Sequence, residues 1–158
     1  MEPSLGPDFA PPNPPHLSSA TRNILRHMAR VLLPRNERLN VGHEEDIVNF
    51  VDSFVLYLPP LFRLGFPLGV WAFQLASILL SGRFVPYTWL SPERQEAYMA
   101  GWTHSNRWWR RDLIKGVKAL MMLGFYEIPE VQKFLNYDQA GHVNMVKARR
   151  LASYAHEI

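Results

Sequence analysis

Apolar residues recur at helical spacing through most of this chain, and nowhere do they alternate with period two over any length. Leu17, Thr21, Ile24, Leu25, Met28, Val31 and Leu32 draw one stripe. Ser18 or Ser19 can cap it, and it ends before Pro34. A polar connection, 35–41, closes at Gly42. A second helix then starts at His43, with Glu44, Glu45 and Asp46 in the turn where the helix dipole favours acids. Ile47, Phe50, Val51, Phe54, Val55 and Leu58 give the cleanest amphipathic pattern, and Pro59-Pro60 ends it. Leu61 to Gly82 is apolar nearly all round, which predicts a buried helix. Pro67 predicts a kink there or the start of a new helix. An aromatic connection, Phe84 to Trp89, leads onward.

The stretch from Leu90 to Tyr137 organises the rest. Ser91, Pro92 and Glu93 form a helix start. Tyr98, Gly101, Trp102 and Ser105 follow at three- and four-residue steps. A second run places Trp109, Leu113, Val117, Leu120 and Gly124 on one line, with Ile114, Met121 and Phe125 beside it. The opposite face carries Arg107, Arg110, Arg111, Lys115 and Lys118, and Asp112 is the one acid among them. Ser105 is positioned to cap this second helix. Pro129 breaks it, because proline disfavours helix in the residue before it. Asp138 to Gly141 reads as a loop, and Val143 to Tyr154 as a final modest helix.

These patterns predict an all-α fold, a compact bundle of five or six helices behind an extended N-terminal arm. Residues 1–16 form the arm, where six prolines disfavour helix. Residues 17–138 form the helical domain and 139–158 a helical C-terminal tail. At 158 residues, 47% hydrophobic and 13% aromatic, the chain has material for one real core. The formal charge of +3 permits an acidic partner without demanding nucleic acid. The N-terminus lacks the pattern of a secretory or twin-arginine signal. Phe66 to Leu80 is shorter than the roughly 20 residues a membrane-spanning helix needs.

Candidate chemistry is sparse. With no cysteine there is no thiolate nucleophile, iron–sulfur site or disulfide. The six histidines form no HxxxH or HExxH, and no dinucleotide, phosphate-loop or nucleophile-elbow motif occurs. Glu44, Glu45 and Asp46 suit the helix dipole better than a metal. His104, Ser105 and Asp112 hold triad residue types, but nearness in sequence does not place side chains. A small enzyme using His104 or Tyr126 as acid or base is a rival reading. Glycines 65, 69, 101, 116 and 124 sit singly on helices and predict close backbone packing. Trp102, Trp108 and Trp109 interleave with the basic stripe. That mixture can stack single-stranded nucleic acid, but it is also the chemistry of protein–protein hot spots, and the short stripe favours the latter.

The hairpin also resembles a known family. Its features are Trp102 to Ser105 as W-x-x-S followed by Arg107, then Gly116-Val-Lys-Ala-Leu120, then Phe125-Tyr126-Glu-Ile-Pro129, and finally Leu135-Asn-Tyr137. In this order, over residues 45–138, they resemble the gluconate 2-dehydrogenase subunit 3 family. They are also similar to the helical segment ahead of the flavin domain in long-chain fatty alcohol oxidases. The resemblance implies a non-catalytic small subunit with no catalytic residue, cofactor or metal of its own. It implies a large flavoprotein partner of the glucose–methanol–choline type that carries FAD, joined in some members by a cytochrome subunit. Trp102, Arg107, Trp108, Arg111 and Tyr126 are expected at or beside the subunit contact. Exported members often carry a twin-arginine signal, so a cytoplasmic complex is expected here, with membrane association through the complex and without a span. The alternative is a stand-alone module that binds a lipid or other apolar ligand in a pocket lined by Phe66 to Leu80.

Overall fold

The computed structural model describes residues 15–33, 43–80, 84–135 and 139–154, and among these the fold is all-α. The described residues contain α1 (Ser19–Leu32), α2 (Glu44–Val55), α3 (Pro60–Leu80), α4 (Pro92–Thr103), α5 (Trp108–Glu127), α6 (Pro129–Phe134) and α7 (Gln139–Tyr154). A 3-10 turn, Tyr87–Trp89, precedes α4. The short helix beyond the expected five or six is α6, which Ile128 and Pro129 separate from α5. The arm up to residue 14, the polar connection and Gly82 lie outside the described residues.

Helix α1 starts as its sequence dictates: the Ser18 hydroxyl accepts the Thr21 N–H at 3.2 Å. Its buried stripe, Thr21, Ile24, Leu25, Met28 and Ala29, packs against α2, α3, α4 and the 3-10 turn. On α2 the buried line is rotated from the expected one. Val48, Asn49 and Asp52 are buried, while Phe50 and Phe54 are only partly covered. Two polar residues turn inward because Arg22 of α1 reaches both of them.

Helix α5 is the second organiser and packs on α2, α4 and α6. Two glycines permit close approaches. A Cβ on Gly124 would meet Phe50 ring and stem carbons at 2.8–3.1 Å, and one on Gly69 would meet the tip of Leu113 at 2.7 Å. Glycines 65, 101 and 116 would meet nothing within 4 Å, so close packing explains only two of the five.

The aromatic connection is held by polar side chains that the apolar pattern does not announce. Gln74 of α3 donates to the Thr88 hydroxyl at 2.9 Å, and its oxygen accepts the Thr88 N–H at 3.3 Å. The Ser77 hydroxyl reaches the Val85 carbonyl at 2.8 Å, and Gln95 donates to the Tyr87 carbonyl at 3.2 Å. Phe84, at the start of this connection, has φ 55°, a left-handed conformation that is costly for a bulky side chain.

Helix α3 departs most from expectation. It runs unbroken for 21 residues through Pro67, so of the two expectations there, a kink or a new helix, the new helix does not occur. Among the described residues it is the one helix long and apolar enough to cross a membrane by length and composition, which removes the length argument against it. Nor is it a buried core helix, since only 22% of its apolar 18-residue window is buried. Val70, Phe73, Gln74 and Ser77 face the domain, while Leu61, Leu64, Leu68, Leu75 and Leu79 face outward. The inner line is tied down. The Trp71 indole N–H donates to the Thr21 hydroxyl at 3.1 Å, and the Tyr98 hydroxyl donates to the Phe73 carbonyl at 2.9 Å.

Candidate functional site

The expected contact residues gather on the α4–α5 hairpin, but they take different roles. Trp102 lies near the end of α4 and is 2% exposed. It packs on Phe73 with ring centroids 5.0 Å apart, and Phe73 in turn meets Tyr87 at 4.7 Å and Tyr98 at 5.0 Å. Trp102 is therefore the centre of an aromatic core and not a surface contact. The spacing that places it on the inner line with Tyr98 explains this. Trp109 stands edge-to-face on it at 5.5 Å, and the Arg110 guanidinium lies over both indoles at 5.4 and 5.2 Å. Arg110 thus leaves the solvated basic face and closes the cluster by cation–π attraction.

The turn between the two helices is built from side chains that sequence reasoning gave other work. Ser105 is not the cap of α5. That position belongs to Arg107, and the Ser105 hydroxyl accepts the Arg107 N–H at 3.2 Å. Arg111 donates to the Ser105 carbonyl at 3.1 Å, which ties the first turn of α5 to the connection. His104 is exposed at the end of α4 and Asp112 is exposed on α5. Ser105 already serves the turn, and no contact links the three as a triad.

What remains at the surface is Trp108, 69% exposed, beside exposed Arg107, with Trp109 partly uncovered. Lys115 and Lys118 extend the basic face along α5. Tyr126 is half-exposed at the far end, where Gln132 of α6 donates to its carbonyl at 3.1 Å. Of the five expected contact residues, Arg107 and Trp108 share one surface at the hairpin turn. Arg111 braces it from below, Tyr126 lies about five helical turns away, and Trp102 is interior.

Burial keeps the two phenols of the aromatic core protonated near neutral pH. Burial pushes the Tyr98 phenol up to about 12, against the opposing charge of Arg110. Burial likewise raises Tyr87, with smaller contributions from Tyr98 and Glu96. The Tyr87 hydroxyl, the Trp102 indole N–H and the Arg110 Nε–H are buried without a hydrogen-bond partner among the described residues. Such groups cost about 1–3 kcal/mol each, which the packing of the surrounding rings must offset. Among the described residues no group of three or more His, Asp or Glu side chains could hold a metal. The segment Phe66 to Leu80, read as the wall of an apolar pocket, turns Leu68, Leu75 and Leu79 outward.

Compared with family models, curated proteins and solved structures, the chain matches none.

Proposed function

We propose that this chain is a non-catalytic accessory subunit that stabilises a larger flavin-dependent oxidoreductase of the glucose–methanol–choline type. That enzyme would act on an alcohol, sugar or sterol, and the partner would carry FAD. The observation that carries the reading is Trp108. A large aromatic side chain stands in solvent at the first turn of α5, beside Arg107, on a hairpin braced by Arg111 and the Trp102–Trp109–Arg110 cluster. Tryptophan and arginine on a rigid element are the residue types that dominate protein–protein contacts. The family resemblance of the hairpin supplies the identity of the partner. The buried polar residues support an accessory role, because Asp52, Gln74, Ser77 and Gln95 all join one segment to another.

Affinity purification of the tagged chain from its natural context tests this. The expected product is a yellow complex with flavin absorbance that dissolves when Trp108→Ala and Arg107→Glu are combined. A colourless chain with no flavoprotein attached would refute the proposal.

A further inference from the structure

The outward face of α3 carries a repeat that the packing of this chain does not use. Leu61, Leu68 and Leu75 are seven residues apart, and four residues after each stand Gly65, Ala72 and Leu79. All six are exposed, and a Cβ on Gly65 would meet nothing within 4 Å, so the face is open there. Leu64 and Phe62 widen it, and exposed Tyr57 and Phe84 flank the two ends of the helix. A seven-residue repeat of large and small apolar side chains is the surface of a helix that pairs with another helix. The small positions let the two backbones come close.

We propose that α3 pairs antiparallel with α3 of a second copy of this chain, about a twofold axis level with Val70. The register follows from the repeat. With the axis at 70, Leu68 of one copy lies opposite Ala72 of the other, Gly65 opposite Leu75, and Leu61 opposite Leu79. Each leucine at the centre meets a small residue, as a self-complementary interface requires. The one charged residue of the helix, Arg63, is already bonded to the Leu56 carbonyl. In this arrangement the two Arg63 side chains stand about 20 Å apart along the pair. The four leucines of the repeat are 51–80% exposed, so the surface that the partner helix would cover is free in this chain.

A lipid surface fits less well. It selects no register, and an in-plane helix needs a polar, basic face opposite its apolar one. The opposite side of α3 is fastened to the domain through Trp71, Phe73, Gln74 and Ser77. The inference does not rest on the flavoprotein reading, which concerns other residues.

Sedimentation equilibrium of the full chain is expected to show a dimer that dissociates on dilution. Ala72→Glu, at an exposed position, is expected to give a monomer with an unchanged far-ultraviolet helical spectrum. The absence of cysteine permits a test of register. Leu68→Cys and Ala72→Cys chains, mixed and oxidised, are expected to cross-link to each other and not to themselves. A wild-type monomer at all concentrations would overturn the proposal, as would a dimer that survives Ala72→Glu. Self-cross-linking of either single variant would replace the antiparallel pair with a parallel one. A monomer that partitions onto phosphatidylcholine–phosphatidylglycerol vesicles would give the face to the membrane instead.

Discussion

The fully buried carboxylate of Asp52 holds the guanidinium of Arg22 at 2.6 Å and also accepts the backbone N–H groups of His16 and Leu17. One side chain of α2 thus pairs with a cation on α1 and fixes the strand of chain that enters α1. Arg22 extends the network to Asn49 and Glu45, and Arg26 holds Glu45 from the next turn.

Removal of one partner leaves a buried charge uncompensated. Asp52→Ala is expected to lose about 3–5 kcal/mol, and Arg22→Ala a similar amount. Asp52→Asn keeps an oxygen for the backbone N–H groups and is expected to lose less. Urea unfolding of the two singles and the double gives the coupling, which is expected to be large and non-additive.

Acid is expected to weaken the fold. Burial holds His27 below its usual value, Arg30 and Arg26 push it the same way, and the bond to Gln95 opposes them. For a base whose folded value is depressed, the unfolded chain takes up protons first. Stability is then complete above about pH 6.5 and declines as pH falls below it. Glu45 is opposed by burial, but Arg26 and Arg22 bring it below the ordinary carboxylate value. Its contribution is present above about pH 4.5 and is lost as pH falls through its lowered value. The urea midpoint of the wild type should therefore decline from pH 7.5 to 5.5, and that of His27→Gln should decline less.

Glycine substitutions should split by sign. Gly124→Ala forces the Phe50 stem aside and is expected to cost about 1–3 kcal/mol, since overpacking outweighs the helical preference for alanine. Gly101→Ala and Gly116→Ala enter open space and are expected to gain about 0.5–1 kcal/mol each. Thermal midpoints of the three variants decide this.

The two tryptophans of the hairpin should separate stability from binding. Trp102→Ala is expected to cost about 3–5 kcal/mol because it empties the aromatic core. Trp108→Ala should change stability by less than about 0.5 kcal/mol and yet weaken retention of the flavoprotein. Denaturation curves and flavin absorbance of the purified complex, measured on the same preparations, distinguish the two roles.

Helical periodicity places α1, α2, α4 and α5, because each has an apolar line; α1, α2 and α4 also open on a start signal, whereas α5 opens at Arg107 without the Ser105 cap expected for it. It failed on α3 for a physical reason. A helix apolar on all sides gives no sign of which side is covered, and Leu68 and Val70 read alike in sequence although one is exposed and the other buried. Polar ties were illegible for a related reason. Asp52, Gln74 and Gln95 are buried where partners 8 to 68 residues away meet them. At the hairpin the residue types were readable but their division was not. Trp102 and Trp108 stand six positions apart, which turns them to different sides of a connection whose geometry Ser105 and Arg111 set.

The fastening of α3 along its inner line has a kinetic corollary. Trp71 and Tyr98 keep the helix seated before anything covers its leucines, so its outer surface is already in shape when a binder arrives. Docking there should proceed in a single exponential phase with no slow refolding step. Its thermodynamic mark should be a negative heat-capacity change from apolar burial alone.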